Sequence, residues 1–145
     1  SGNDYITFSI TPTSGNQLSL SGATITYTLQ NSGAGPDFYS IRSSVDNFGS
    51  DLSASSSALT AAGGTTSTSL TLPTSVSYTG LTSAVEFRIY GWGATGGTGT
   101  FSVNAWSMAG SVSAVPEPST YAVIVGAVAL AGAILQRRRT RGAPR

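Results

Sequence analysis

Apolar and polar residues alternate with a period of two along much of the chain. Ile6, Phe8 and Ile10 are separated by Thr7 and Ser9, and Ile25, Tyr27 and Leu29 by Thr26 and Thr28. Further on, Val85, Phe87 and Ile89 alternate with Glu86, Arg88 and Tyr90, and Phe101, Val103 and Ala105 with Ser102 and Asn104. Successive strand side chains point to opposite faces, so each run predicts a strand with one buried and one wet face. Shorter runs at Gln17–Leu20, Phe38–Ser43, Ser67–Leu72 and Met108–Val112 predict further strands. Turn chemistry separates them, as in Thr-Ser-Gly-Asn from Thr13, Ser-Gly-Ala-Gly-Pro-Asp from Ser32 and the glycine-rich segment from Gly93 to Gly99. About eight short strands at this spacing predict an all-β fold, an antiparallel two-sheet β-sandwich that is jelly-roll-like or an immunoglobulin-like variant. The segment Ser53–Thr68, almost all Ser, Ala, Thr and Gly, reads as a long mobile loop.

At Val115 the pattern changes, and Val115–Gly142 reads VPEPSTYAVIVGAVALAGAILQRRRTRG. Nineteen uncharged residues lie between Glu117 and Arg137. As a helix they reach about 28 Å, close to the roughly 30 Å hydrocarbon core of a bilayer. The run therefore predicts a single C-terminal transmembrane helix over 119–136, with Tyr121, Val125, Gly126, Leu130 and Leu135 in the span. Arginines beside a short span stay on the cytoplasmic side, so Arg137, Arg138, Arg139 and Arg141 place the body outside. Pro116 and Pro118 remove two backbone donors and favour extended geometry before them, which is expected to keep Pro116-Glu117-Pro118 out of sheet and helix and open to a protease.

The expected organisation is thus a Ser/Thr/Gly-rich β domain over 1–114 and a C-terminal signal over 115–142, followed by a short tail at 143–145. Within the signal, the motif occupies 116–118, the span 119–136 and the arginine-rich cytoplasmic end 137–141. The strand pattern begins almost at once, which suggests that one or more strands completing the sandwich lie upstream of Ser1.

Charge follows the same division. Up to Val115, Arg42 and Arg88 face Asp4, Asp37, Asp46, Asp51 and Glu86, whereas beyond it five arginines face Glu117 alone. A body so poor in cations cannot neutralise many phosphates, so no nucleic-acid partner is expected. The chain has no Cys, His or Lys. The usual ligands of transition metals and the usual partners of activated nucleophiles are missing, and neither a catalytic residue nor a cofactor is assigned.

Two clusters remain as candidates for chemistry. Asp46 and Asp51 lie in a glycine-containing turn after a strand, which is either ordinary turn chemistry or a calcium candidate, since calcium takes oxygen ligands from such loops. Asp37, Asp46, Asp51 and Glu86 would have to serve a hydrolase acting on polysaccharide, although nothing in the sequence pairs them at a set separation. Tyr90, Trp92 and Trp106 are candidates for glycan contact, because flat aromatic faces stack on sugar rings. By alternation Tyr90 leaves the core face defined by Phe87 and Ile89, and Trp106 leaves that of Phe101 and Val103; packing under a second sheet is the competing use of both.

Pro116-Glu117-Pro118, an apolar span and an arginine cluster, in that order at the end of the chain, resemble the PEP-CTERM sorting signal of Gram-negative bacteria. The resemblance implies recognition in the inner membrane by an exosortase, cleavage near the Pro-Glu-Pro, and release of the body to the envelope or extracellular matrix. It also implies a link to exopolysaccharide production. The stretches Phe38–Phe48 and Val85–Trp92 look like strands of the jelly-roll domains often found ahead of this signal. The sequence reading is therefore a non-enzymatic exported surface or matrix protein, transiently anchored in the inner membrane with its body periplasmic. A secreted carbohydrate-binding module is the first alternative.

Overall fold

The computed structural model describes residues 4–53, 57–59, 64–116 and 118–141. In chain order the strands are β1 (Tyr5–Ile10), β2 (Asn16–Ser19), β3 (Thr24–Asn31), β4 (Phe38–Ser43), β5 (Ser57–Ala58), β6 (Thr65–Thr71), β7 (Val85–Trp92), β8 (Phe101–Met108) and β9 (Ser111–Ala114). Helix α1 (Pro118–Arg141) follows. The chain divides into two units, Ser1–Ser113 and Ala114–Arg145.

Among the described residues the strands form three sheets rather than two, in the orders β1-β7-β4-β5, β6-β3-β8 and β2-β9. In the two larger sheets every pairing is antiparallel. The third sheet arises because the run expected over Met108–Val112 is broken at Gly110. Met108 completes β8, while Ser111 opens β9 and pairs with β2 instead. Gly110 lies close over Leu20, where an added Cβ would come within 2.8 Å of the leucine Cδ2. Parts of Ser53–Thr68 that read as loop are β5 and the start of β6; residues 54–56 and 60–63 of that stretch lie outside the described residues.

The alternating residues of the larger sheets meet in one core. Ile25, Tyr27 and Leu29 of β3, Tyr39 and Ile41 of β4, and Val85, Phe87 and Ile89 of β7 are all buried. Hydroxyls inside this core are paired, as they must be where an unpaired group costs about 1–3 kcal/mol. Tyr27 and Tyr39 share a hydrogen bond of 3.0 Å between the sheets, and Tyr78 and Ser43 share one of 2.8 Å.

Burial pushes the Tyr27 hydroxyl well above its usual pKa of 10.0, with the Tyr39 hydrogen bond adding to the effect, and burial also raises Tyr78. Above pH 10 an unfolded chain releases these protons while the folded chain keeps them. The associated stability is therefore complete below pH 10 and is lost as pH rises, by about 1.4 kcal/mol for Tyr27 by pH 11. Urea melts at pH 8 and pH 11 should show the midpoint falling; an unchanged midpoint would mean that the tyrosines titrate freely in the fold.

Strand β8 departs from plain alternation. Thr28 pairs with Ala105 but Leu29 pairs with Val103, so Asn104 is an extra residue on the β8 side. A bulge of this kind shifts every later side chain to the other face. Phe101 and Val103 point inward, and beyond the bulge Trp106 and Met108 do as well.

Helix α1 is 24 residues long, about 36 Å at 1.5 Å per residue. It begins at Pro118, which corrects the expectation that this proline stays outside the helix. A first-turn N–H has no partner within the helix, so proline loses nothing there and its fixed φ suits the start. Glu117 lies outside the described residues. The helix continues through the arginines to Arg141. From Tyr121 to Ile134 every side chain is exposed. Among the described residues no helix is long and apolar enough to cross a membrane. The expected span over 119–136 includes side chains that are not among them, those of residues 119, 120 and 135.

Candidate functional site

The outer face of the β1-β7-β4-β5 sheet carries a cluster of aromatic and charged side chains. Register places them together: Tyr5 lies opposite Tyr90, Phe38 opposite Trp92, and Arg42 opposite Arg88. Each alternates with a buried neighbour, so the residues that fill the core with Tyr39, Ile41, Phe87 and Ile89 leave Phe38, Arg42, Arg88 and Tyr90 on the other side. Tyr5, Phe38 and Trp92 are 41%, 37% and 40% exposed, against 2% for Tyr27 in the core.

The rings form two pairs. Tyr5 and Tyr90 sit with centroids 5.4 Å apart and planes tilted by 57°, and Phe38 stacks on Trp92 at 6.2 Å and 24°. Between Tyr90 and Trp92, Gly91 gives its inner side to Pro36 and Phe101, where a Cβ would come within 3.0 Å and 3.3 Å of them. A cleft of about 330 Å³ opens there, lined in part by Asp4, Tyr5, Pro36, Gly91 and Phe101.

Both arginines of the β domain stand on this face, directly across from each other, an arrangement that repels unless compensated. Each is compensated by a carboxylate and by aromatic rings. Arg42 Nε donates to Asp51 Oδ1 at 2.6 Å and Arg88 Nε donates to Glu86 Oε1 at 2.5 Å. These hydrogen bonds hold both guanidiniums above their ordinary pKa, so both stay charged. Arg88 lies over the Tyr5 ring at 4.3 Å and the Phe48 ring at 3.7 Å, and Arg42 lies 5.5 Å from the Tyr90 centroid. Cation–ring contacts of this sort contribute about 0.5–1 kcal/mol at exposed sites.

Phe48 reaches Arg88 through an uncommon backbone. After the short 3-10 turn Ser44–Asp46, Asn47 and Phe48 both adopt positive φ, 57° and 60°. For a bulky aromatic residue this is strained by about 1–3 kcal/mol. The Phe48 N–H donates to Ser43 O at 2.8 Å, and together with the stacked guanidinium this holds the turn.

The sequence candidates separate on this framework. Tyr90 and Trp92 share the outer face. Trp106 does not join them: the β8 bulge turns it toward the core, against the face that alternation assigns. There it stacks on Phe8 at 4.6 Å with planes 2° apart and lies 6.0 Å from Tyr27 and 5.9 Å from Phe87. A small apolar cleft of about 260 Å³ beside it is lined by Phe8, Ile10, Phe87, Trp106 and Met108. Tyr5, Phe38, Arg42, Arg88 and Phe48 take the places that the sequence reading left empty. Asp51 is engaged by Arg42, and Asp46 ends the 3-10 turn. Among the described residues no group of three or more His, Cys, Asp or Glu could hold a metal ion. Comparison with protein-family profiles, with curated proteins and with solved structures finds no match.

Proposed function

We propose that the chain is a non-enzymatic exported surface or matrix protein, a jelly-roll-like β domain carried on a cleavable PEP-CTERM-like C-terminal signal. The supporting observation is the build of that signal. Nineteen uncharged residues run from Pro118 to Gln136, and Arg137, Arg138, Arg139 and Arg141 follow immediately. From Tyr121 to Ile134 the helix carries no charge and its side chains are exposed, and uncharged apolar side chains such as Val123, Ile124, Val128 and Leu130 suit lipid better than water. The described side chains alone fall short of a span, so the reading rests on the full uncharged run in the sequence. Under this proposal the arginines remain cytoplasmic, the body is periplasmic, and an exosortase cleaves near Pro116-Glu117-Pro118. Mass spectrometry of the native C-terminus tests it. An end close to Pro118 in the presence of the processing enzyme, and an intact Arg145 in its absence, is the expected pair of results; an intact Arg145 in both would leave only a plain anchor.

A second reading, a carbohydrate-binding module, is favoured by the exposed rings on the β1-β7-β4-β5 face. Aromatic surface of this kind, bordered by fixed polar groups, suits the apolar face and hydroxyl rim of a sugar. The two readings are compatible, because a matrix protein that holds polysaccharide needs such a face.

A further inference from the structure

Four rings on the outer sheet face lie in two pairs, Tyr5 tilted against Tyr90 and Phe38 stacked on Trp92. Tyr90 and Trp92 belong to one strand, two residues apart, so the pairs follow one another along β7 at about 6.8 Å. They form a short track of apolar surface rather than a single patch. Beside it stand two guanidiniums and two carboxylates, Arg42 with Asp51 and Arg88 with Glu86.

These four charges decide what the track can hold. Each guanidinium is already neutralised by a carboxylate at hydrogen-bond distance. The remaining charges of the β domain, Asp4, Asp37 and Asp46, are all negative. An acidic polymer would therefore meet no unbalanced cation and a net repulsive field. An uncharged sugar chain meets instead paired rings, guanidinium N–H donors and carboxylate acceptors held in place before it arrives. Arg88 is fixed between Tyr5 and Phe48, and groups ordered in advance lose little entropy on binding.

Resting on the carbohydrate-binding reading above, we infer that the ligand of this face is a neutral polysaccharide, laid across Tyr5, Tyr90, Trp92 and Phe38, with hydroxyls reaching the two Arg–carboxylate pairs. Trp106, on the core side, takes no part in it. Binding of this kind depends little on salt, whereas attraction of an acidic chain would be screened as the Debye length shortens.

The test is affinity electrophoresis of the full chain in detergent micelles, with gels containing neutral glucan, mannan, galactan or xylan, or acidic alginate, at low and high NaCl. Retardation by at least one neutral polymer is expected, with less than a twofold change between the two salts. Tyr5→Ala and Trp92→Ala should each weaken it by about threefold to tenfold, the effect of losing one stacked ring. Trp92→Phe should restore most of the loss, and cooperative melting well above the assay temperature would separate these effects from unfolding. Retardation by alginate alone, falling steeply with salt, overturns the neutral-ligand inference while leaving the face a glycan site. Retardation by none of the five polymers removes the carbohydrate-binding reading itself.

Discussion

Trp106→Ala lowers the stability of the β domain by about 3 kcal/mol, at the low end for loss of a large aromatic because the ring is only half buried. For a domain of this size that is a fall in Tm of roughly 12 °C. Trp92→Ala, at a ring 40% exposed, shifts it by less than a third of that. The contrast follows from one extra residue on β8. Without the bulge at Asn104, both tryptophans would share the solvent side of their strands; with it, Trp106 fills the gap between Phe8, Tyr27 and Phe87. Removing the ring enlarges a cleft that is already about 260 Å³ and strips the inner side of β1 of its stacking partner. Thermal melts of the two variants check this. Equal shifts would mean that Trp106 is not a core residue.

The second large effect concerns the tail. Val128→Arg places a guanidinium near the middle of the uncharged run, where a charged residue opposes insertion by about 2.5–3.5 kcal/mol, on the order of a hundredfold. The run has little apolar surplus to offset this, since Ala and Gly make up much of it. On the proposed reading the parent chain enters the detergent-rich phase on cloud-point separation and the Val128→Arg chain moves to the aqueous phase. Ser111→Arg, an exposed position on β9, should leave partitioning as it was. Identical partitioning of all three chains would show that the segment does not sit in an apolar medium.

Much of the β domain could be read from the chain before its structure. The four strongest alternating runs all lie within strands, because a half-buried strand writes its period directly into the sequence. Phe38–Ser43 matches β4 residue for residue. What alternation does not contain is register and interruption. The meeting of Tyr5 with Tyr90 and of Phe38 with Trp92 depends on pairings between strands far apart in sequence. Tyr5 had a signal, since it alternates with Ile6, Phe8 and Ile10 and must face outward, but nothing local says which rings it will meet.

Packing, the competing use of Trp106, is what the structure shows, and the face that alternation assigns to it fails for a similar cause. A bulge changes the count by one and inverts the expected face, and Asn104-Ala105 carries no residue that demands it. The break at Gly110, by contrast, had a visible marker in the glycine itself. At the C-terminal end the apolar run makes a helix legible but not its start, because Pro116 and Pro118 also fit an open chain. Proline is unfavourable inside a helix and favourable at its first position, so a single residue of displacement reverses its meaning.

The same face shows how a site can be built without unusual residues. Arg42, Asp51, Glu86 and Arg88 are the ordinary wet positions of two neighbouring strands and a loop. Their proximity becomes specific only when the Asn47-Phe48 turn, in its strained conformation, lays a ring over Arg88. Exposed ion pairs contribute about 0–1 kcal/mol each, so this arrangement adds little to stability and much to the rigidity of the surface.

Under the proposed function the uncharged run lies in lipid, with the β domain on one side and the arginines on the other. The chain contains no cysteine, so single Ser111→Cys and Ala143→Cys substitutions report topology without background. The measurement is labelling with a membrane-impermeant maleimide, after expression behind a secretory leader in a Gram-negative host that lacks the processing enzyme. In intact spheroplasts Ser111→Cys should be labelled at once and Ala143→Cys only after permeabilisation, with both chains in the membrane fraction. Immediate labelling of Ala143→Cys, or recovery of both chains in the soluble fraction, would contradict the account.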